Sequence, residues 1–204
     1  MTTILHINSS IRSAGSVSRQ LTAEFLNKWK AVQSDDIIIE RDLAVDAVPH
    51  LTEQMMGAFF TPVDQRSAEQ NETVKLSDVL IAELFRADVI VLGAPMYNFS
   101  ISSTLKAWID HVSRAGVTFN YTETGPVGLV RDKKVYVFTA RGGVYSEGPA
   151  KSMDFQETYL RAVLGFIGLT DVTFVRAEGL AMGESAVDAA LTQSRQLIDE
   201  LVSQ

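Results

Sequence analysis

The chain has 204 residues, 46% of them apolar, which suits one domain with a well-filled core. A net charge of −7 repels polyanions, and no basic stripe offsets it, so nucleic-acid binding is a poor fit. Cysteine is absent, which excludes disulfides, thiolate metal sites, iron–sulfur clusters and a cysteine nucleophile.

Met1-Thr2-Thr3 leads straight into Ile4–Ile7, a short β-branched and leucine-rich run that predicts the first strand. No basic stretch followed by an apolar one precedes it, so no signal peptide is expected. No apolar run approaches bilayer-spanning length, and the expectation is a cytoplasmic protein without membrane contact. Val17, Leu21, Phe25 and Trp29 then recur every fourth residue and predict a helix with one buried face. Ile37–Ile39 predicts the second strand.

Asp46 to Asp64 carries Pro49 and Pro62 around Met55, Met56, Phe59 and Phe60, and reads as a long connection with exposed apolar surface. Leu76, Val79, Leu80 and Leu84 mark a helix, Val89–Leu92 the third strand, and Leu105, Trp108, Ile109 and Val112 another helix. Gly116 to Arg131, with Phe119, Tyr121, Gly125-Pro126 and Gly128, predicts a hairpin-like excursion. Val135–Phe138 and Val172–Val175 complete the strands. Leu160, Val163, Leu164 and Ile167, then Val187, Leu191, Ile198 and Leu201, complete the helices.

Strands without clean polar alternation, separated by helices, predict an α/β fold: three layers, with a five-stranded parallel sheet covered on both faces. In such sheets ligands bind beyond the carboxyl ends of the strands, where strand order reverses. The loops after the first, third and fourth strands should meet there. The first, Asn8 to Ser18, is rich in serine around Gly15 and opens a helix, which favours a phosphate. It has neither the Walker lysine nor GxGxxG, and capping by Ser16 or Ser18 is an equally good local explanation. The second, Gly93 to Ser100, holds Met96, Tyr97, Asn98 and Phe99, which suit a flat aromatic ligand or, alternatively, packing beneath the next helix. The third, Thr139-Ala140-Arg141-Gly142-Gly143, lets backbone N–H groups approach a ligand, though an ordinary turn with Arg141 solvated or paired to a carboxylate explains it as well. His6, His50 and His111 are scattered, and each reads as structural rather than as a metal ligand.

Taken together, Ser9-Ser10-Ile11 with Ser16-Val17-Ser18, Ala94-Pro95-Met96-Tyr97-Asn98-Phe99 and Arg141-Gly142-Gly143 resemble the FMN-dependent NADH azoreductase and quinone oxidoreductase family of flavodoxin-like proteins. Arg114 to Phe119 and Leu164-Gly165-Phe166-Ile167-Gly168 are similar as well, so the resemblance spans nearly the whole chain. It implies one FMN per subunit, with the phosphate on Ser10 and on Ser16, Val17 and Ser18. It places the flavin ring along Met96, Tyr97, Asn98 and Phe99, and the third loop, Ala140, Arg141, Gly142 and Gly143, at its edge. Many members carry serine where this chain has Ala140, so one hydroxyl contact is missing here. The resemblance further implies a homodimer with Phe60, Phe119, Tyr121 and Phe166 as walls of a shared substrate pocket. The implied activity is alternating two-electron transfer from NADH or NADPH to quinones and azo aromatics. No catalytic side chain is expected, because the cofactor carries the hydride. The competing expectations are a flavodoxin-like electron carrier and a non-catalytic flavin sensor.

Overall fold

In the computed structural model, which describes residues 1–203, the apolar runs become β-strands and the periodic segments helices. In chain order the first elements are β1 (Thr3–Asn8), α1 (Val17–Val32), β2 (Ile37–Asp42), α2 (Glu53–Phe60), α3 (Ala68–Arg86) and β3 (Val89–Pro95). There follow α4 (Ser103–Val112), β4 (Phe119–Thr122), β5 (Gly125–Gly128), β6 (Lys134–Ala140), α5 (Glu157–Ile167), β7 (Asp171–Ala177) and α6 (Glu184–Val202). Five strands form one parallel sheet in the order β2-β1-β3-β6-β7. The chain moves outward from β1 to β2, then returns across β1 to β3, so strand order reverses between β1 and β3.

Alternate side chains of each strand feed opposite layers, as the pleat requires. Leu5, Ile7, Ile90, Leu92, Val135 and Val137 pack with Leu80 and Leu84 of α3, Leu105 and Trp108 of α4, and Leu160 and Leu164 of α5. Ile4, Val89, Val91, Tyr136, Phe138 and Val175 face Leu21 and Phe25 of α1 and Ile198 and Leu201 of α6. The Phe25 ring tilts against Tyr136 and Phe138 at centroid distances of 5.0 and 5.4 Å. Central β3 is buried along its whole length, which is why it reads as a continuous apolar run. Among the described residues no helix is long and apolar enough to cross a membrane.

The structure departs from the sequence reading in two places. Val79 does not share the inward stripe of α3 and is 50% exposed; Leu80, Ile81 and Leu84 face inward instead. The stretch from Asp46 to Asp64, expected as a long connection without an element of its own, contains α2. Thr52 caps α2 by accepting from the Met55 N–H (3.2 Å), and Glu53 sits in the first turn, where the helix dipole favours an acid. The side chain of Arg66 closes the other end by donating to the Ala58 and Thr61 carbonyls. Of the apolar group, Phe59 turns inward and meets His111 edge-on at 5.8 Å.

The predicted excursion is an antiparallel hairpin, β4–β5, docked on the end of α5. The docking is backbone against backbone. A Cβ at Gly128 would sit 2.1 Å from the Gly168 nitrogen and 2.3 Å from the Ile167 carbonyl carbon. Overpacking costs about 1–3 kcal/mol and rigid backbone leaves little room to yield, so Gly128→Ala should fall at the upper end. For a chain of this size that lowers the melting temperature by roughly 6–12 °C. Gly165→Ala, in α5 and with nothing within 4 Å of its Cβ, should leave melting unchanged or raise it slightly. Calorimetry of both variants checks the contrast.

Candidate functional site

Three loops converge where strand order reverses. Loop 1 leaves β1 and is pinned at once to β3, since Ser9 donates to the Gly93 carbonyl from its N–H (3.0 Å) and its hydroxyl (2.7 Å). Ser10 is buried, and its hydroxyl lies 3.4 Å from the Tyr97 hydroxyl of the second loop. Gly15 takes a left-handed φ of +66°, which lets the chain turn into α1. Ser16 is the N-cap of α1, accepting from the Arg19 N–H, and its oxygen lies 3.2 Å from that of Ser18. The N–H groups of Val17 and Ser18, in the first turn, find no acceptor among the described residues. They point out of a helix N-terminus and so favour an anion.

One ion pair holds this loop in place. Arg19 grips both oxygens of Asp42 (2.6 and 2.7 Å) and donates to the Ser10 carbonyl at 2.8 Å. The Arg19 guanidinium keeps the Asp42 carboxyl below the usual carboxylate range. Arg12, by contrast, has no carboxylate partner among the described residues and lines the cleft.

Loop 2 makes a tight reversal. Tyr97 and Ser100 exchange N–H to carbonyl hydrogen bonds at 2.9 and 3.0 Å. Between them Asn98 and Phe99 both adopt positive φ, +48° and +71°. A left-handed conformation costs an ordinary residue roughly 1–2 kcal/mol, and Phe99 has no side-chain means of offsetting it. Such strain concentrates at ligand sites. The turn is held from outside, where the Phe155 N–H donates to the Phe99 carbonyl at 3.1 Å.

Loop 3 follows β6. The Ala140 carbonyl accepts from the Met96 N–H at 2.9 Å and joins loop 2 to loop 3. The carbonyls of Gly142 and Gly143 accept from Ala181 and Gly179, while their N–H groups find no acceptor among the described residues. A Cβ at Gly143 would press on the Tyr145 ring at 3.3–3.4 Å, so glycine keeps that backbone open. Tyr145 in turn meets the Phe99 ring edge-on, 6.2 Å between centroids, across the two loops.

Beneath loop 3 lies Arg141, only 1% exposed. Its Nη1 is 3.0 Å from both Glu178 and Asp154, its Nε donates to Gln156 at 2.9 Å, and its Nη2 is 3.6 Å from Glu157. Its N–H and carbonyl are also taken, by Ala177 and Leu180. The side chain is therefore buried and paired with carboxylates rather than solvated, which settles between the two alternatives of the sequence reading. Glu178 goes on to accept from the N–H groups of Tyr145 (2.8 Å) and Ser146 (3.1 Å). Burial pushes the Glu178 carboxyl up, but hydrogen bonds from Ser146, Tyr145 and Arg141 outweigh it and hold the group below its ordinary value. Glu157 behaves alike, with Arg176 and Arg161 outweighing its burial.

The loops enclose a cavity of about 330 Å³ lined by Ser10, Val17, Tyr97, Ala140 and Gly142, within the range of small-molecule sites. On the other side of Tyr97 a second cavity of about 660 Å³ is lined by Ile11, Asn98, Ile101, Lys106 and Tyr159. The structure thus brings Ser10, Ser16, Val17, Tyr97, Ala140, Arg141 and Gly142 around one space, with Ser18, Met96, Asn98, Phe99 and Gly143 on the same loops. It does not bring Phe60, Phe119, Tyr121 or Phe166 to either cavity. Phe119 is buried against Phe166, 4.3 Å between centroids, whereas Phe60 and Tyr121 are 71% and 73% exposed. His6 is buried beside Glu40, and the Nε2 of His111 lies 3.0 Å from the Pro49 carbonyl. Arg12, Arg19, Asp42, Tyr145 and Gln156 went unnoticed in the sequence. Of these only Arg12, inside the serine-rich loop, carried a local signal.

An open parallel sheet reversing between β1 and β3, with an anion-ready helix N-terminus at that point, defines a flavodoxin-type α/β protein. The chain belongs to the flavodoxin-like fold family, whose sequence profile matches residues 2–202. It is 62% identical over 202 residues to the FMN-dependent NADH:quinone oxidoreductase of Herminiimonas arsenicoxydans, covering 99% of each chain. Its structure is similar to that of an azoreductase from Bacillus anthracis str. Sterne, with a TM-score of 0.92 and 32% identity over 99% of each chain. An FMN-dependent NADH-azoreductase from Bacillus anthracis str. Ames Ancestor, solved in complex with FMN, superposes with a TM-score of 0.86 at 26% identity, covering 98% of this chain and 99% of the other.

The carboxylates beneath loop 3 make stability depend on acid. Glu178 and Glu157 have folded pKa values below their unfolded ones, so their contribution is complete above about pH 4.3 and is lost as pH falls through the folded values. Burial also lowers the pKa of His111, so the unfolded chain takes up that proton first, and stability begins to fall below about pH 6.5. The urea midpoint should therefore be flat above neutrality and drop in two stages on acidification. In Glu178→Gln the midpoint should already be lower at pH 7, and the second stage shallower.

Proposed function

We propose that the chain is an FMN-dependent NAD(P)H oxidoreductase that reduces quinones and reductively cleaves azo compounds to aromatic amines. It would work as a single domain spanning residues 1–204, as a cytoplasmic homodimer. The observation that carries the reading is a set of unpartnered backbone donors on both sides of Tyr97: Val17 and Ser18 at a helix N-terminus, Gly142 and Gly143 on the facing loop. FMN has the matching chemistry, a dianionic phosphate at one end and a flat ring with a hydrogen-bonding edge at the other.

The residues fit the group. Val17 and Ser18 would donate to the phosphate, with the Ser10, Ser16 and Ser18 hydroxyls beside them and Arg12 supplying a free cation. Met96, Tyr97, Asn98 and Phe99 would flank the ring, their strained turn presenting backbone and aromatic surface together. Gly142 and Gly143 would donate to the ring's polar edge, where a reduced ring would carry negative charge. Ala140 and Arg141 contribute backbone and floor rather than a hydroxyl or a free charge. When bound, the flavin ring supplies reversible two-electron hydride chemistry between a nicotinamide donor and a quinone or azo acceptor. The second cavity, with Ile11, Ile101 and Tyr159 along its walls, supports a flat apolar acceptor beside Tyr97.

The dimer reading rests on uncovered apolar surface. Phe60, Val63 and Tyr121 are each more than 70% exposed, although large aromatic side chains gain most from burial. A second copy would cover them and bring Phe60, Phe119, Tyr121 and Phe166 to the mouth of the neighbouring cleft.

Three measurements test the reading. Purified protein loaded with FMN should lose its visible flavin band on anaerobic addition of NADH and regain it with a quinone. A band that persists overturns the activity. Riboflavin, which lacks the phosphate, should bind about 100-fold more weakly than FMN, the worth of two charge-assisted hydrogen bonds of about 1.5 kcal/mol each. Equal affinities would remove the anion from loop 1. Sedimentation should give twice the 22.4 kDa chain mass.

A further inference from the structure

The side chain of Gln156 is fully buried and joins the second and third loops. Its Nε2 donates to the Ala94 carbonyl at 2.9 Å, and its Oε1 accepts from Arg141 Nε at 2.9 Å. Ala94 lies two residues before Met96, where β3 opens into loop 2, and Arg141 is the first residue of loop 3. The flanking residues act on the same two loops. Asp154 is 3.0 Å from Arg141, and the Phe155 N–H donates to the Phe99 carbonyl at 3.1 Å. Main-chain bonds fix Gln156 itself: its N–H donates to Asp154 (3.0 Å), and its carbonyl accepts from Leu160 in α5 (2.9 Å).

The chemistry of this bridge is asymmetric. It needs a donor toward a carbonyl and an acceptor toward a guanidinium, at fixed separation on one planar group. An uncharged amide supplies both. Glutamate would satisfy Arg141 but face the Ala94 carbonyl with a second oxygen, and methionine would satisfy neither. The bridge sits under the place where loop 2 would flank the flavin and loop 3 would donate to its edge.

We infer that Gln156 is a positioning residue that sets the spacing of loops 2 and 3 and thereby the affinity of the cleft for FMN. The inference rests on the flavin reading above and concerns binding, not only turnover. A bridge of purely structural worth would lower the melting temperature and leave the affinity of the folded protein unchanged. A spacing role moves both.

The test compares Gln156→Met and Gln156→Glu with Ile198→Ala, a cavity-forming control in the α1–α6 layer toward the opposite edge of the sheet. FMN affinity is measured by calorimetry at a temperature where each protein is folded. Gln156→Met and Gln156→Glu should both bind FMN about tenfold more weakly than the parent, the effect of losing about one well-made buried hydrogen bond to the loop. Ile198→Ala should melt earlier yet bind as the parent does. If Gln156→Met does not fold, Gln156→Glu alone decides, because it retains the Arg141 partner and loses only the Ala94 bond. Parent-like affinity in the Gln156 variants, with the parent binding FMN normally, overturns the positioning role and leaves the flavin reading standing. Equal weakening in Ile198→Ala also overturns it, since general destabilisation would then explain the loss. A parent that takes up no FMN sinks the flavin reading and this inference with it.

Discussion

The constraint on which the cleft depends is the burial of one guanidinium. Arg141 is surrounded by Asp154, Glu157, Glu178 and Gln156, and two further arginines, Arg161 and Arg176, complete the set. Three cations face three carboxylates, so the cluster is close to neutral even though several of its members are buried. Removing an ion from water costs several kcal/mol, recovered only when geometry and hydrogen bonding are good. Here the members come from four places in the chain: the loop after β6 with Arg141, the residues before α5, the first turns of α5, and the end of β7. The cluster therefore fastens together the very segments that must hold still beneath a ligand. Losing one member would strand a charge, which makes the arrangement closer to all-or-none than the same number of apolar contacts.

Loop 1 obeys the same logic with fewer parts. The Arg19–Asp42 pair joins α1 to the end of β2 and hands its remaining hydrogen bond to the Ser10 carbonyl. In each case charged side chains are used inward, to hold backbone, and backbone N–H groups are left facing the cleft. The positive φ of Asn98 and Phe99 belongs to this pattern. An unfavourable conformation persists because Tyr97, Ser100 and Phe155 determine it from outside the turn.

Much of this was readable in the sequence because it depends on local periodicity. The five strands follow from short β-branched and leucine-rich runs, and the inward faces of α1, α4 and α5 from a spacing of nearly four residues. The loops that meet were identifiable because the chain alternates strand and helix, and that order dictates where their ends lie. Helix α2 has a local signal, since Thr52-Glu53 is a cap with an acid in the first turn, but it is only eight residues long and Pro49 and Pro62 beside it read as breaks. Val79 fits the three-and-four spacing with Leu76 and Leu80, yet the buried stripe is centred on Leu80, Ile81 and Leu84, and spacing alone does not fix where its edge falls. The ties that hold the site were a different matter. Arg19 and Asp42 are 23 residues apart, and Gln156 and Ala94 are 62 apart. Nothing near any of these residues marks its partner, since such pairs exist only once the sheet has brought distant segments together.

Recognition by backbone also bears on Ala140, the position where the family resemblance implies a serine. Ala140 offers no hydroxyl, yet its carbonyl still fastens loop 2 through the Met96 N–H. The donors left facing the cleft at Gly142 and Gly143 do not depend on the side chain at 140. A site whose donors are amides held by buried side-chain clusters can lose one peripheral hydroxyl and keep its shape. It cannot lose a member of the cluster so cheaply. Sequence variation in this chain's relatives should therefore weigh very differently at Ala140 than at Arg141, although the two are neighbours and both stand on the same loop.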